Sequence, residues 1–346
     1  MTKTVQIKNV IIGGGNPVAI QSMTNLPVTN VEQTLAQIEQ FSRAGGDIMR
    51  IAVPNTEAAK AFAEVRKQTA VPLVADIHFD YRLAIRAIEA GADKIRINPG
   101  NIAEKQLDSV IDCAKSHGVP IRIGVNSGSV NSEALRTCGG VKSKALALSL
   151  EQYVRYFEAR GFDNLVLSVK SSDVRETVET NRLVSKLGYP LHLGVTEAGL
   201  IEQGLIKNSI GIGSLLLDGI GDTIRVSLTA DPVQEVYAAR DILVSLGLRN
   251  GVKFVSCPKC GRCSIDLEGV AQQVYNFAKN LDCDLKIAVM GCEVNGPGEC
   301  ADADIGMAGA NGKFVFFKHG KRYKTVDEQN AVNEFIEEIK RLTNDN

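Results

Sequence analysis

Short apolar runs alternate with longer amphipathic stretches along residues 17–247. Eight of the runs are predicted to be strands, and they lie near Val18–Ser22, Ile48–Val53, Leu73–Ile77, Ile95–Ile97, Ile121–Val125, Leu165–Val169, Leu191–Val195 and Ile224–Leu228. Between them apolar positions recur with helical spacing, as at Val31, Leu35 and Ile38. Eight strands joined by helical crossovers predict a (β/α)8 TIM-type barrel in the α/β class. A doubly wound open sheet is the alternative. The alternation of strands and helices continues without a change midway, which favours the barrel.

Glycines mark the ends of several predicted helices. A glycine follows the helical stretch and precedes the next strand by a few residues at Gly45, Gly91, Gly118, Gly161 and Gly188. Glycine takes the left-handed conformation that closes a helix at its carboxyl end more readily than any other residue. We therefore expect left-handed glycine caps at these positions.

Both ends of the chain fall outside this repeat. The first 16 residues, with Gly13–Gly15 near their end, predict an extra hairpin that closes the bottom of the barrel. The rhythm breaks again around residues 245–253, which have the composition of a linker. The elements predicted beyond it are a strand at Phe254–Ser256, a helix over about 264–281, a strand at Lys286–Met290, a hairpin at Asp304–Val326 and a helix over Asp327–Leu342. We predict a barrel domain over residues 1–247 and a small α+β domain over residues 252–346.

Composition narrows the class of protein. Hydrophobic residues make up 44% and charged residues 23% of the 346 residues, which excludes disorder as the main state. Lys+Arg 39 against Asp+Glu 40 gives a net charge of -1, whereas a protein that binds the nucleic-acid backbone is usually basic. No apolar run approaches the ~18 residues of a membrane span, and the first residues lack the apolar core of a signal peptide. We expect a cytoplasmic protein that binds neither nucleic acid nor membrane.

Strand parity predicts a cationic barrel interior. Because side chains alternate between the two faces of a strand, the apolar residues that face the helices turn their neighbours inward. The cations turned inward are Arg50, Arg96, Arg122, Lys170 and Arg225. The polar residues turned inward by the same parity are Asn98, Asn126, Ser168 and Ser227. Asp76 and His78 share one face of the third predicted strand.

These cations need a counter-charge, because a barrel lumen is normally filled with branched apolar side chains. Asp76 and Glu197 are expected to balance two of them, and the excess calls for a multiply charged anion. A diphosphate fits, since the arginine fork binds phosphate oxygens in pairs. The plainer alternative is that each cation pairs with an acid at a strand end or in a loop.

His78 is a candidate proton donor or phosphate ligand, with a structural role as its alternative. The histidines interpreted as structural are His117, His192 and His319.

Cysteine spacing in the last third of the chain is the strongest chemical signal. Six of the eight cysteines lie between Cys257 and Cys300, and disulfides are uncommon in a reducing compartment. Three of the six have the spacing CxxCxxC, and Cys292 lies in the segment GCEVNGPGEC. A zinc ribbon would need a second CxxC pair, whereas an iron–sulfur cluster accepts one CxxC with more distant ligands. The pattern therefore favours an iron–sulfur cluster over zinc and over buried cysteines without a metal.

Two segments of this region are similar to those of the 4-hydroxy-3-methylbut-2-enyl diphosphate synthase family. They are Ser256–Arg262, with the sequence SCPKCGR, and Gly291–Glu299, with the sequence GCEVNGPGE. The barrel segments that resemble the family are Arg50–Pro54, Asp76–Asp80, Arg96–Asn101 and Thr196–Gly199. The resemblance covers essentially the whole chain, and it is to the two-domain bacterial form.

The resemblance implies an enzyme that reduces 2-C-methyl-D-erythritol 2,4-cyclodiphosphate by two electrons, opening the ring and expelling a hydroxyl as water. It implies a 4Fe–4S cluster that receives electrons from flavodoxin or ferredoxin. The implied cluster ligands are Cys257, Cys260, Cys292 and Glu299. The residues implied to contact the substrate are Arg50, Arg96, Asn98, Arg122, Asn126, Lys170, Arg225 and Ser227. His78 and Glu197 are implied to lie near the reacting carbons, with Glu197 a candidate proton donor. A homodimer with an active site shared between subunits is implied as well.

Some alternatives stay open at this point. By spacing alone, Cys263 or Cys300 could replace Glu299, although the residue-by-residue match favours Glu299. The basic segment Lys313–Lys324 could dock an acidic electron carrier, but a hairpin edge protected by lysines is the preferred interpretation. Two other classes of function are a phosphate-ligand barrel enzyme with a structural zinc module and a non-enzymatic iron–sulfur carrier. The inward cations argue against the carrier, which has no need of a diphosphate pocket.

Overall fold

The computed structural model describes residues 1–126, 132–263, 265–279, 281, 283–292, 294, 296–310 and 312–344. The chain divides into two units, Met1–Leu246 and Gly247–Asn346. Each unit has its own hydrophobic core.

An antiparallel hairpin begins the first unit. Its strands are β1 (Val5–Ile7) and β2 (Val10–Ile12), and Gly13–Gly15 follow with positive φ. The hairpin packs its apolar side chains against residues at the amino-terminal ends of the barrel strands, including Ile48 and Val166. The predicted hairpin at the bottom of the barrel is therefore confirmed.

Eight parallel strands form the barrel in sequence order. They are β3 (Ala19–Met23), β4 (Ile48–Ala52), β5 (Leu73–Asp76), β6 (Lys94–Ile97), β7 (Ile121–Asn126), β8 (Leu165–Lys170), β9 (His192–Leu193) and β10 (Thr223–Ile224). β10 pairs with both β9 and β3, and a parallel bridge between Leu167 and Leu191 joins β8 to the start of β9. The predicted barrel is confirmed. The last two strands are shorter than predicted; in β9 the ladder stops before Gly194, whose φ of 157° lies outside the usual strand range.

Helices cover the outside of the barrel. They are α1 (Val31–Arg43), α2 (Thr56–Gln68), α3 (Tyr81–Glu89), α4 (Glu104–His117), α5 (Ser132–Thr137), α6 (Lys142–Glu158), α7 (Val174–Val184), α8 (Ile201–Leu217) and α9 (Pro232–Ser245). Side chains such as Phe41 and Phe157 pack against outward strand residues such as Ile51 and Leu167 in one continuous core. All five glycines predicted to follow helices have φ between 65° and 93°, which confirms the left-handed conformation.

The second unit is a five-stranded sheet with helices. Its elements are β11 (Val252–Ser256), α10 (Leu267–Ala278), β12 (Leu285–Met290), α11 (Gly296–Glu299), β13 (Ile305–Ala310), β14 (Lys313–Lys318), β15 (Lys321–Asp327) and α12 (Glu328–Asn344). The strands are hydrogen-bonded in chain order, the first three parallel and the last two antiparallel. The prediction of a single hairpin over Asp304–Val326 was wrong, because the segment folds into three strands. Turns at Gly312 and Gly320, both at φ 75°, separate them.

Both faces of this sheet are buried. α10 and α12 cover one face, where Val274 and Phe335 pack with Phe314 and Phe316 of β14. A smaller cluster on the alternate side chains includes Cys300 and Phe317. Among the described residues of both units, no helix is long and apolar enough to cross a membrane.

Candidate functional site

The carboxyl ends of the barrel strands surround a cavity of about 320 Å³. All five cations that strand alternation predicted to face the barrel interior line this cavity: Arg50, Arg96, Arg122, Lys170 and Arg225. They come from β4, β6, β7 and β8 and from the residue after β10. Other predicted site residues in its wall are His78, Asn126 and Ser227. We call this cavity and its five cations the cationic cup.

Two buried carboxylates neutralise part of the cup. Asp76 Oδ1 accepts a hydrogen bond from Arg96 Nη1 at 3.1 Å, and its Oδ2 lies 3.7 Å from Arg50 Nε. Burial by itself would raise the pKa of Asp76, but Arg50 and Arg96 outweigh it and hold that pKa below its ordinary value. Glu235 Oε2 and Oε1 accept from Arg225 Nε and Nη2, both at 3.1 Å.

Glu197 does not supply the second counter-charge, so that expectation was wrong. Its side chain is exposed, and no ion pair joins it to any residue that the structure describes. Glu235 takes this part instead, reaching Arg225 from α9 on the outer side of the strands. Strand parity carries no information about a residue on a helix, which is why Glu235 was not predicted.

Arg122 and Lys170 are left without an acid. No carboxylate of a described residue lies within 4.0 Å of either one. Arg122 is 2% exposed, and its Nε and Nη1 have no hydrogen-bond partner in the described part of the chain. Burial, with smaller contributions from Arg122 and Arg225, lowers the pKa of Lys170 well below its ordinary value. Burial likewise lowers the pKa of Arg50 to about 10, although Asp76 opposes it. The cup therefore has an excess of positive charge that an anion would stabilise.

Two inward-facing glycines make room for the cations. A Cβ on Gly124 would lie 3.1 Å from Arg96 Nε, and a Cβ on Gly194 would lie 2.7 Å from Lys170 Nζ. A side chain at Gly124 would displace the Arg96 guanidinium, and one at Gly194 would clash first with the Arg225 carbonyl oxygen, 2.4 Å from the added Cβ, and then with Lys170. Glycine at an inward strand position next to a predicted cation was a signal in the sequence for this close packing.

His78 lies at the edge of the cup, and the remaining predicted barrel residues do not line it. His78 Nε2 is 3.8 Å from Asp76 Oδ2, and its side chain is 45% exposed. Asn98 is buried but does not line the cavity, because its Oδ1 accepts a hydrogen bond from Gly100 N–H at 3.2 Å. Glu197 does not line it either, although its neighbour Thr196 does.

Three further lumen residues were not predicted as part of the site. Met23 lines the cup, where Arg50 Nε and Nη2 point at its Sδ from 3.1 and 2.8 Å. Lys94 and His192 are fully buried below the cup. Lys94 has the same parity as Arg96, so the sequence did carry a signal for it.

The cysteine segments of the second unit meet at one edge of its sheet. β11 and β12 are parallel neighbours with Ser256 opposite Val289, so the residues just beyond each strand lie side by side. Those residues are Cys257 and Gly291, and the Gly291 N–H donates to Cys257 Sγ at 3.2 Å. Cys292 follows directly and is half-buried.

The other predicted ligands lie in adjoining segments. Cys260 is exposed in the turn after Cys257, and Glu299 is exposed at the end of α11. All eight cysteines are free thiols. Within the described residues, no three His, Cys, Asp or Glu side chains have the arrangement of a metal site, so the four predicted ligands are not gathered around one point.

Cys263 and Cys300 differ in their surroundings. Cys300 is fully buried, and burial followed by the neighbouring Glu299 raises the pKa of its thiol to about 11. Cys263 is half-buried, and its Sγ donates to the carbonyl of Ile265 at 3.4 Å. The other cysteines of the two segments are at least partly exposed and can donate soft sulfur, which suits iron; they are Cys257, Cys260, Cys263 and Cys292.

Family models match both units of the chain. The GcpE TIM-barrel domain matches residues 2–240, and the GcpE protein C-terminal domain matches residues 253–341. Among solved structures, dihydropteroate synthase from Xanthomonas albilineans is similar with a TM-score of 0.52 and 18% identity, covering 71% of this chain and 98% of that one. Dihydropteroate synthase from Stenotrophomonas maltophilia has a TM-score of 0.53 and 15% identity, covering 72% of this chain and 100% of that one. These structures show the barrel fold alone.

Curated relatives match almost the whole chain. The protein from Caldanaerobacter subterraneus subsp. tengcongensis is 51% identical over 345 residues, covering 99% of this chain and 97% of its own length. The protein from Clostridium acetobutylicum is 50% identical over 341 residues, covering 98% of each chain. Both are named 4-hydroxy-3-methylbut-2-en-1-yl diphosphate synthase (flavodoxin). With both family models matched and such identity over nearly its full length, this chain belongs to the GcpE family of 4-hydroxy-3-methylbut-2-en-1-yl diphosphate synthases.

Proposed function

We propose that this chain catalyses the reductive ring opening and dehydroxylation of 2-C-methyl-D-erythritol 2,4-cyclodiphosphate to 4-hydroxy-3-methylbut-2-enyl diphosphate. The observation that carries the proposal is the charge of the cationic cup. Five buried or half-buried cations face one cavity of about 320 Å³, and among the described residues only Asp76 and Glu235 oppose them. A diphosphate supplies the missing negative charge in a form that guanidinium groups bind with paired hydrogen bonds.

The barrel residues bind and orient the substrate. Arg122 and Lys170, which lack an acid, are proposed to hold the phosphate oxygens most tightly, with Arg50, Arg96 and Arg225 around them. The amide and hydroxyl groups proposed to complete the contacts are those of Asn98, Asn126 and Ser227. For Asn98 the side chain would have to leave Gly100 N–H, its present partner.

His78 and Glu197 are proposed to act near the reacting carbons. His78 lies at the edge of the cup, where its Nε2 is 3.8 Å from Asp76 Oδ2. Glu197 is exposed, with φ at 52°, a conformation that a non-glycine residue rarely adopts. The carboxyl group of Glu197 is the candidate proton donor.

The second unit is proposed to hold a 4Fe–4S cluster through Cys257, Cys260, Cys292 and Glu299. When bound, the cluster would supply electrons one at a time. The donor set fits: Cys257 and Cys292 lie beyond neighbouring strand ends, and the Gly291 N–H already donates to the Cys257 sulfur. Glu299 is preferred to Cys300 as fourth ligand, because the Cys300 side chain is fully buried whereas that of Glu299 is exposed.

The electron donor is proposed to be flavodoxin or ferredoxin, and the active enzyme a homodimer with shared sites. Because no cysteine of a described residue lines the cup, we assign the redox group to the second unit of the same chain or of another. Mixing chains that carry Arg96→Ala with chains that carry Cys292→Ala tests the sharing. Activity recovered in the mixed dimer supports it, whereas two inactive variants that stay inactive together contradict it.

The function itself is tested on protein purified without air. We expect iron and labile sulfide in the protein, and conversion of the cyclic diphosphate when reduced flavodoxin is present. A colourless protein with one zinc per chain would instead support the zinc-module enzyme. An iron–sulfur protein that neither binds nor converts the cyclic diphosphate would support the carrier.

A further inference from the structure

Lys94 lies deeper in the barrel than the cations of the cup. It is the first residue of β6, two positions before Arg96, and its side chain is fully buried on the same inward face. Its Nζ donates to Oε1 of Gln21 on β3 at 3.3 Å. No carboxylate in the described part of the lumen lies within 4.0 Å of this amine. An ammonium group at this position would therefore have no ion-pair partner.

The charged groups that share the lumen with Lys94 are mostly cations. From the other elements they are Arg50 on β4, Asp76 on β5, Arg122 on β7, Lys170 on β8, His192 on β9, and Arg225 after β10 with Glu235 of α9. Both acids are already engaged, Asp76 by Arg50 and Arg96, and Glu235 by Arg225. Neither is left to compensate a further charge below the cup.

Burial without a counter-charge disfavours the protonated amine. Desolvation, with Arg122 and then Arg50 adding to it, holds the pKa of Lys94 well below its ordinary value of 10.5. A diphosphate in the cup would reverse part of this effect, because its negative charges would offset the two guanidinium groups that act on Lys94. Binding of a diphosphate in the cup would thus favour protonation of Lys94, and protonation of Lys94 would favour binding of the diphosphate.

We propose that Lys94 is a proton-accepting positioning residue of the lumen, neutral when the cup is empty and protonated when a diphosphate fills it. The inference rests on the proposed function for the class of ligand. The proton comes from solvent and adds to the Nζ lone pair, and no other bond forms or breaks. The resulting ammonium places one more positive charge beneath the phosphates while it still donates to Gln21.

The coupling makes binding depend on pH in one direction. Because the occupied state holds one more proton, affinity falls as pH rises between the pKa of Lys94 in the free protein and its pKa in the complex. Across that interval the loss is up to about tenfold per pH unit.

Isothermal titration calorimetry of the full, cluster-loaded chain tests this. The cyclic diphosphate is titrated without reductant, at mildly alkaline pH, in buffers of different ionisation enthalpy. We expect Lys94→Met to take up about one proton fewer per site than the wild-type protein and to lose the matching part of the pH dependence. Lys94→Gln should give the same result, so that the test does not depend on the folding of one variant.

His192→Gln is the matched control, since this histidine is also fully buried in the lumen. Its proton count should equal that of the wild-type protein. The inference is overturned if both Lys94 variants bind the ligand with an unchanged proton count, or if the loss follows His192→Gln instead. If the wild-type protein gives no heat of binding at all, the proposed function fails, and this inference fails with it.

Discussion

The Glu235 carboxylate holds the Arg225 guanidinium by two hydrogen bonds of 3.1 Å, from a helix on the opposite side of the strands to the cup. Ser22 Oγ donates to the same carboxylate at 2.6 Å, and the backbone N–H of Leu228 donates at 3.1 Å. Glu235 is 3% exposed. The carboxylate therefore fixes one wall of the cup by accepting four hydrogen bonds in a buried setting.

We expect Glu235→Gln to lower the free energy of unfolding by about 3 kcal/mol, because it leaves the half-buried Arg225 charge without an anionic partner. Urea denaturation measures this. Glu202→Gln, at an exposed position of α8, is the control and should shift stability by less than about 0.5 kcal/mol. Equal denaturation midpoints for the two variants would contradict a structural role for the pair.

Arg96→Met should weaken binding of the cyclic diphosphate by about 10- to 100-fold, since it removes charge-assisted hydrogen bonds to phosphate. The dissociation constant of the oxidised protein, measured by calorimetry, reports this loss. Arg82→Met removes an arginine whose side chain is 71% exposed and pairs with Asp80, so its affinity should match that of the wild-type protein. If the two variants bind equally well, Arg96 does not contact the ligand.

Gly124→Ala tests the close packing of glycine against a cation. The added methyl group would stand 3.1 Å from Arg96 Nε, so we expect the guanidinium to shift and KM to rise by about 3- to 10-fold. The fold should persist, because the displaced group is the end of a flexible side chain. Gly213→Ala, where a Cβ meets nothing within 4 Å, should leave KM unchanged. An unaltered KM in Gly124→Ala would show that the added methyl group does not displace the Arg96 guanidinium.

Cysteine variants separate ligands from buried thiols. We expect Cys292→Ala to lose most of its iron, whereas Cys300→Ala keeps it and loses about 1–2 kcal/mol of stability, because the fully buried Cys300 leaves a small cavity. Iron and labile sulfide per chain, together with thermal denaturation, measure both effects. Cys263→Ala should also keep its iron. Loss of the cluster in Cys263→Ala, with cluster and rate both retained in Glu299→Ala, would reverse the proposed ligand assignment.

The barrel and the five cations of the cup were predictable because both depend on local periodicity. Alternation along a strand fixes which way Arg96 and Arg122 point, whatever the rest of the chain does. Asn98 shows the limit of this rule: the parity was correct, but a local hydrogen bond to Gly100 draws its side chain out of the cavity wall.

Other features depend on contacts that no local pattern encodes. Glu235 reaches Arg225 from α9, and its role follows only from how that helix packs on the strands. The segment Asp304–Val326, predicted to be one hairpin, forms three strands, and the first of them, β13, contains the sequence GMAGA, which lacks the branched residues typical of strands. The burial that distinguishes Cys300 from the exposed Cys260 is likewise a tertiary property.

The hairpin formed by β1 and β2 seals the floor of the barrel with Val5, Ile7 and Ile12, each at most 2% exposed. The barrel interior is consequently closed at the amino-terminal ends of its strands. A substrate and its product would therefore use the same opening at the carboxyl ends of the strands, and a newly formed diphosphate would occupy the cations that the next substrate molecule needs.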